Sequence, residues 1–300
     1  MRARPHMNAN MSRGGLCASA PAALLGSAVL AAQFVLSLYV CTPRGRPPNR
    51  DDPAVVKARF VRVGVASIIA PFVSILAAAL PGDTEPCMPD ASLLQWFGLW
   101  APERVGAAVF APLLLTVILF LGPLVMAWIE ECDTPWQLRL RQMVHAHRDV
   151  RSLRNLLIGP LAEEWVFRAC MCSLLYGAGI RDGTNVFISG TLFGLAHVHH
   201  VYDAGASLAV VGVQFTYTSL FGAYSSYLFL RTGLIYGPFL AHSFCNSQGL
   251  PRFGDVPGHP HQRVLTAAFL LGLGSFITLV TLDAIYRPPL FHSMLWDERV

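Results

Sequence analysis

The chain carries two adjacent carboxylates inside an apolar segment. Glu163, Glu164 and Arg168 lie within residues 155–179, which are otherwise apolar apart from Asn155 and small or weakly polar side chains. A carboxylate at membrane depth costs roughly 2.5–3.5 kcal/mol, so a pair of them needs a function or a partner. On a helix, Arg168 lies one turn beyond Glu164 and can neutralise it. Glu163 is turned about 100° away and is left available for proton chemistry. The alternative is a charged pair that snorkels near a helix end.

Two later segments place imidazole and amide groups in similar surroundings. Four residues separate Phe193 from His197 and His242 from Asn246, so each pair shares one helical face. A carboxylate, two imidazoles and a carboxamide are the groups that water-driven amide hydrolysis needs. Glu163 can take a proton from water, and His197 can orient that water or relay its proton. His242 and Asn246 can donate hydrogen bonds to a tetrahedral oxyanion.

Other chemistries fit the same residues less well. Zinc is the main rival, because several histidines and both glutamates could ligate it, but HExxH is absent, and His199 and His200 are expected to be loop residues. The predicted site therefore contains no metal and no cofactor. A serine hydrolase is disfavoured because GxSxG is missing. An aspartyl pair is disfavoured because Asp203 and Asp255 lie in loop-like sequence without GxGD. Taken singly, His197 or His242 is more often a packing residue, and Asn246 can hold helices together.

Composition indicates an integral membrane protein. Of 300 residues, 54% are hydrophobic and 13% are charged, against about 25% charged in soluble domains. The arginines are scattered through short loops and Lys57 is the only lysine, which predicts topology signals and no nucleic-acid partner. The seven cysteines show no CxxC spacing and are expected to be free, buried thiols; they occupy positions 17, 41, 87, 132, 170, 172 and 245.

The apolar pattern predicts an all-α, polytopic bundle of about eight transmembrane helices forming a single domain over 1–300, with a catalytic core at about 150–250. The predicted spans are 17–41, 63–80, 105–129, 155–179, 184–198, 207–230, 234–246 and 264–286. Loops 42–62 and 130–154 are the most basic and should be cytosolic. Loop 81–104 is acidic and should lie opposite, with an interfacial helix at Leu93–Trp100 whose two tryptophans sit at headgroup level.

This topology supports a single polar site. Alternation of the spans places Glu163, His197 and the His242–Asn246 pair toward the same cytosolic half of the bilayer. None of these residues was used to set the topology, so their coincidence is evidence for one cavity within the bundle.

Three short motifs resemble those of one known family. The sequence contains EExxxR at residues 163–168, FxxxH at 193–197 and HxxxN at 242–246. Their order and apolar setting resemble the type II CaaX prenyl proteases, the Ras-converting enzymes, and the similarity covers about residues 150–250. Residues 193–200 look like the eukaryotic branch of that family.

The resemblance implies an intramembrane endopeptidase of the endoplasmic reticulum membrane that removes the last three residues of prenylated CaaX proteins on the cytosolic side. Its substrates would be farnesylated or geranylgeranylated proteins such as Ras-like small GTPases, presented from membrane lipid. By position, Glu163 would be the base, His197 its partner on the water, and His242 and Asn246 the oxyanion donors. Glu164, Arg168 and Phe193 would support them.

Two other classes of function remain compatible with the residues. In a non-enzymatic membrane protein the same polar cluster would stabilise the bundle or support a scaffold. In a transporter, buried glutamate and histidine side chains would couple protons, although the inverted repeats common in transporters are not visible.

Overall fold

The computed structural model describes residues 15–40, 49, 51–82, 91–132, 149–199, 207–282, 293 and 295. The regular secondary structure of these residues is entirely helical, which confirms the all-α prediction. The helices are α1 (Ala20–Ser37), α2 (Pro53–Ala79), α3 (Leu93–Trp96), α4 (Val105–Leu119), α5 (Leu121–Glu131), α6 (150–177), α7 (Asp182–His197), α8 (Leu208–Thr232), α9 (Tyr236–Gln248) and α10 (Gln262–Thr281), with 3₁₀ turns at Pro102–Arg104 and Phe253–Asp255.

Four helices are long and apolar enough to cross a membrane. They are α1, α2, α4 together with its preceding 3₁₀ turn, and α10. Their outward faces expose large apolar side chains such as Phe72, Phe110 and Leu270, as expected for surfaces that meet lipid. The prediction of a helical membrane protein is confirmed, and the count of about eight spans stays a prediction.

Helix α6, which carries the two glutamates, is not a uniform α-helix. It alternates α-helical and π-helical stretches: Val150–Leu153 (α), Arg154–Ile158 (π), Gly159–Glu164 (α), Trp165–Cys172 (π) and Ser173–Gly177 (α). The π turns therefore flank the short α-helical stretch that ends at Glu164. Such turns are rare and often occur at functional sites.

Local sequence explains how α6 begins and how its first π turn forms. The Asp149 side chain accepts a hydrogen bond from the Ser152 N–H at 2.7 Å, which caps the helix and lowers the pKa of Asp149. The Gly159 N–H donates to the Arg154 carbonyl, five residues back. A Cβ at position 159 would lie 2.7 Å from that carbonyl oxygen, so the turn requires glycine.

The third predicted span, 105–129, is two helices rather than one. Helix α4 ends at Leu119 and α5 begins at Leu121, with Phe120 between them at φ −90° and ψ 14°. Pro123 explains the break. A proline ring clashes with the carbonyl four residues earlier, here that of Leu119, and proline has no N–H to bond to it. Phe120 packs edge-on against Phe244 of α9, with ring centroids 5.6 Å apart. The interruption thus contacts the helix that carries His242.

The predicted interfacial helix is shorter than expected and one of its tryptophans is buried. Trp96 is 0% exposed, and its carbonyl accepts a hydrogen bond from Ser173 Oγ of α6 at 2.5 Å. The chain turns immediately afterwards at Gly98, whose φ is +66°. The headgroup prediction is therefore wrong for Trp96, whereas Trp100 is 59% exposed.

The segment before α1 is attached to the far end of α6. Leu16 is buried, and the Ala18 N–H donates to the Gly177 carbonyl at 3.3 Å. Cys17 is disulfide-bonded, with a partner outside the described residues. The expectation of free, buried thiols is confirmed for Cys170 and Cys172. It is wrong for Cys17, which is bonded, and for Cys132, which is free but exposed; Cys245 is free and partly buried.

Glycines bring α7 and α8 into close contact. A Cβ at Gly190 would lie 2.7 Å from the Ala223 nitrogen, and one at Gly194 would lie 1.9 Å from Ser219 Oγ. Across the same seam, a Cβ at Gly222 would lie 3.0 Å from Phe193 Cβ. Small residues four positions apart allow helices in a membrane to approach at backbone distance. The seam holds α8 against the FxxxH segment of α7.

Candidate active site

Glu163, His197 and His242 converge from three helices. Glu163 Oε2 lies 3.7 Å from His242 Nε2 and 4.0 Å from His197 Nε2. The side chains of Glu163 and His197 are 21% and 19% exposed, so the cluster is partly accessible from outside the bundle. Both separations exceed a direct hydrogen bond and are short enough for a water molecule to bridge either histidine to Glu163.

Glu164 forms a separate, fully buried network beneath this cluster. Its Oε2 lies 3.1 Å from Arg168 Nε and accepts a hydrogen bond from Ser225 Oγ at 2.5 Å. Its Oε1 accepts a hydrogen bond from His242 Nδ1 at 2.7 Å. Arg168 also donates to the Gly222 carbonyl at 3.4 Å. The predicted ion pair between Glu164 and Arg168 is confirmed, and it connects to one of the site histidines.

Hydrogen-bond partners orient both imidazole rings. His197 Nδ1 lies 2.8 Å from the Phe193 carbonyl, just as His242 Nδ1 lies 2.7 Å from the Glu164 carboxylate. Carbonyl and carboxylate oxygens only accept hydrogen bonds, so each Nδ1 carries a proton. In each neutral ring Nε2 is therefore the acceptor, and both Nε2 atoms face Glu163.

Two phenylalanine rings pack against the arginine and histidine side chains of the site. Phe193 is buried, with its ring centroid 4.4 Å from the Arg168 guanidinium carbon and 4.5 Å from the His197 ring. The first contact is a cation–π interaction, which is strengthened by desolvation. Phe221 of α8 packs 4.6 Å from the His242 ring. Phe193 thus supports the network from FxxxH and Phe221 supports it from α8.

Asn246 lies one turn beyond His242 and hydrogen-bonds elsewhere. Its Nδ2 donates to the Asn155 carbonyl at 2.8 Å, and the residue is exposed. Ser243 Oγ likewise donates to the Leu156 carbonyl at 2.5 Å. Both bonds fasten α9 to the first π stretch of α6. The structure therefore brings Glu163, His197 and His242 together, whereas the Asn246 amide is bonded to the backbone of α6.

Three contributing residues on α8 were not predicted from the sequence. Ser225, Gly222 and Phe221 contact Glu164, Arg168 and His242 respectively. The sequence signal is a run of small residues at helical spacing, Gly222, Ser225 and Ser226, which marks a closely packed face. It indicates packing, and it does not by itself indicate a partner for a carboxylate.

The remaining predicted ligand candidates lie outside this cluster. His199 is in the turn after α7, as expected, with Nδ1 2.6 Å from the Ala196 carbonyl. His200 lies outside the described residues. Over the part of the chain that the structure describes, no group of three or more histidine, cysteine or acidic side chains is arranged to hold a metal ion.

Known proteins resemble this chain over most of its length. Residues 150–248 match the family model described as type II CAAX prenyl endopeptidase Rce1-like. CAAX prenyl protease 2 of Homo sapiens is 40% identical over 278 residues, covering 88% of this chain and 81% of the human protein. The probable CAAX prenyl protease 2 of Schizosaccharomyces pombe is 34% identical over 252 residues (80% and 86%). The Arabidopsis thaliana protein is 31% identical over 315 residues (96% of each). No solved structure matches significantly.

These similarities extend well beyond the three motifs and cover most of each protein. The matched class is that of the type II prenyl endopeptidases. The chain belongs to the CAAX prenyl protease 2 family, which confirms the resemblance drawn from EExxxR, FxxxH and HxxxN.

Proposed function

We propose that this chain is a membrane-embedded endopeptidase that removes the C-terminal three residues from prenylated CaaX proteins, with Glu163 as its general base. The observation that carries the mechanism is the position of Glu163 Oε2 between the Nε2 atoms of His197 and His242. Family membership supports proteolysis and leaves the non-enzymatic and transporter alternatives without a supporting observation.

The first step is attack by water on the scissile carbonyl. Glu163 takes one proton from the water while the water oxygen bonds to the carbonyl carbon. His197 Nε2 accepts a hydrogen bond from the same water and orients its lone pair. Because the Phe193 carbonyl holds the proton on His197 Nδ1, Nε2 is available to accept a hydrogen bond from the water without a tautomer change.

The second step is collapse of the tetrahedral intermediate. The carbon–nitrogen bond breaks, and the proton held by Glu163 passes to the departing amine of the three-residue product. Giving up that proton returns Glu163 to its carboxylate form, and the new carboxylic acid of the shortened substrate releases the second water proton to solvent, so protons balance over the cycle.

The oxyanion requires hydrogen-bond donors during these steps. Since His242 donates Nδ1–H to Glu164, its Nε2 can donate only when the ring is an imidazolium. Asn246 Nδ2 bears a second N–H besides the one bonded to Asn155, and that group is the other proposed donor.

Features at the two ends of α6 support the proposed orientation in the membrane. Fourteen residues separate Glu163 from Gly177, about 21 Å along a helix. The Gly177 end contacts the segment that holds the Cys17 disulfide. Disulfides persist in oxidising compartments such as the lumen of the endoplasmic reticulum, so the glutamate end faces the cytosol. The basic loops support the same orientation.

The substrate and the membrane architecture are proposed accordingly. Helices α6 to α9 join the four apolar helices in a bundle of about eight spans, as one domain in the endoplasmic reticulum membrane. A farnesyl or geranylgeranyl chain holds the substrate, such as a Ras-like small GTPase, at the cytosolic leaflet, since each buried CH₂ contributes about 0.8 kcal/mol. The scissile bond then arrives at the depth of Glu163.

The activity is tested with paired peptides. Membranes containing the chain should cleave a farnesylated CaaX peptide before its last three residues and leave the unfarnesylated peptide intact. Mass spectrometry of the products identifies the scissile bond, and Glu163→Ala membranes provide the background. Equal cleavage of both peptides, or none of either, would overturn the proposal.

Chelation tests whether the hydrolysis is independent of metal. Two imidazoles and a carboxylate are also zinc-ligand types, so the question is experimental. We expect purified protein to keep its activity after prolonged treatment with a strong zinc chelator. Loss of activity that stoichiometric zinc restores would instead make His197 and His242 metal ligands.

Thiol labelling tests the orientation. Gln248 is exposed near Asn246, and Gly183 is exposed beside the opposite end of α6, with open space around its Cβ position. An impermeant maleimide added to sealed microsomes should label Gln248→Cys directly. It should label Gly183→Cys only after permeabilisation, with the unsubstituted chain as background. The reverse pattern would invert the topology.

A further inference from the structure

We propose that Ser225 is a positioning residue that sets the orientation of His242 through Glu164. The inference rests on the proposed function, because it concerns turnover at the same site. Ser225 lies on α8, outside the three motifs, and is fully buried. Its hydroxyl donates to Glu164 Oε2 at 2.5 Å.

The role follows from how the two carboxylate oxygens of Glu164 are used. Oε2 is shared by Ser225 Oγ and Arg168 Nε, and Oε1 is left for His242 Nδ1. With both oxygens engaged, the carboxylate plane is fixed. The imidazole plane follows, because the hydrogen bond to Oε1 sets the direction of the ring and hence of Nε2 toward Glu163.

Arg168 alone does not fix this plane. Its guanidinium contacts Glu164 through Nε, while Nη2 is directed to the Gly222 carbonyl. The contact with the carboxylate is therefore one-sided rather than a bidentate fork, which would have constrained the plane by itself. The Ser225 hydroxyl supplies the second constraint on Oε2.

The position of Ser225 on the helix is also set independently of the carboxylate. Gly222, one turn earlier on α8, packs against Phe193, and its carbonyl accepts the bond from Arg168. The backbone of α8 is thus anchored beside the network. This anchoring leaves the Ser225 hydroxyl little freedom to move away from Glu164 Oε2. Hydrogen bonds to charged groups in such surroundings correspond to roughly 10- to 100-fold in an equilibrium or rate constant.

Ser225→Ala is the test, with Ser226→Ala as its matched control. Ser226 is the next residue, is equally buried, and hydrogen-bonds to Ser189 Oγ and the Gly222 carbonyl instead of to Glu164. In purified protein, Ser225→Ala should lower kcat for a farnesylated CaaX peptide about 10- to 100-fold with KM changed less than about threefold. Ser226→Ala should keep kcat within about twofold of the wild-type value.

Thermal unfolding in detergent separates positioning from stability. The two variants each lose one buried hydroxyl, so their Tm values should fall by similar amounts. A kcat for Ser225→Ala within twofold of that for Ser226→Ala, or a loss carried by KM alone, would overturn the proposal. Cleavage by the wild-type chain in the same experiment establishes the proposed function independently, so failure of the positioning role would be visible against an active enzyme.

Discussion

Replacing Glu163 by glutamine is expected to reduce kcat about 100- to 10,000-fold, which is the usual contribution of a general base. Glutamine keeps the size and one oxygen acceptor of glutamate but cannot take the proton from water. Glu163 is partly exposed and its nearest histidine nitrogens are 3.7 and 4.0 Å away, so the substitution should not unfold the protein. Initial-rate kinetics on a farnesylated CaaX peptide measure the loss.

Binding measurements distinguish loss of chemistry from loss of the site. The Glu163→Gln protein should crosslink to a photoactivatable farnesylated peptide as efficiently as the wild type and should unfold at a similar temperature. Near-normal turnover would remove Glu163 from the mechanism. Loss of crosslinking together with turnover would indicate that Glu163 binds substrate rather than activating water.

Replacing Arg168 by alanine should remove protein and activity together. Arg168 and Glu164 are both fully buried and 3.1 Å apart. Breaking a buried pair by deleting one partner costs roughly 3–5 kcal/mol, because the remaining charge is left without compensation. The cation–π contact with Phe193 is lost as well. Immunoblots of membranes and Tm in detergent measure the effect.

Two controls sharpen this prediction. Arg154→Ala removes an arginine from the same helix whose partner, Asp51, is 44% exposed, and such pairs contribute about 0–1 kcal/mol. Its protein level should stay near the wild-type value. The double variant Glu164→Gln with Arg168→Met removes both buried charges and should recover protein level without recovering turnover. Normal accumulation of Arg168→Ala with selective loss of activity would contradict a mainly structural pairing.

The helical class and the meeting of the three motif segments were predictable because charge inside an apolar helix is costly. The spacing of Glu164 and Arg168 on one helix predicted their ion pair. The positive-inside rule predicted that His197 and His242 lie at the same depth. Spacing could not show that Glu164 would also orient His242. That contact depends on the crossing of α6 and α9, which local sequence does not specify.

The features that escaped prediction have identifiable physical causes. Residues 166–178 are all buried, so apolar residues occupy every face of this stretch. Without an alternation of apolar and polar positions, the sequence does not distinguish π turns from α turns. Ser225 is separated from Glu164 by 61 residues, and a serine in an apolar helix is more often a packing residue. The burial of Trp96 depends on the turn at Gly98, and the disulfide of Cys17 depends on which chain segments meet at that end of the molecule.

The glycine seam between α7 and α8 also limits how the enzyme can flex. Helices in backbone contact at Gly190, Gly194 and Gly222 cannot slide or separate without losing that contact along the whole seam. They therefore form a stiff wall, and His197 stands on it. Helix α9 is held to α6 by side-chain hydrogen bonds from His242, Ser243 and Asn246, and the last two, which are less buried, can break and re-form one at a time. Motions that admit a peptide should accordingly arise at the α6–α9 side of the site.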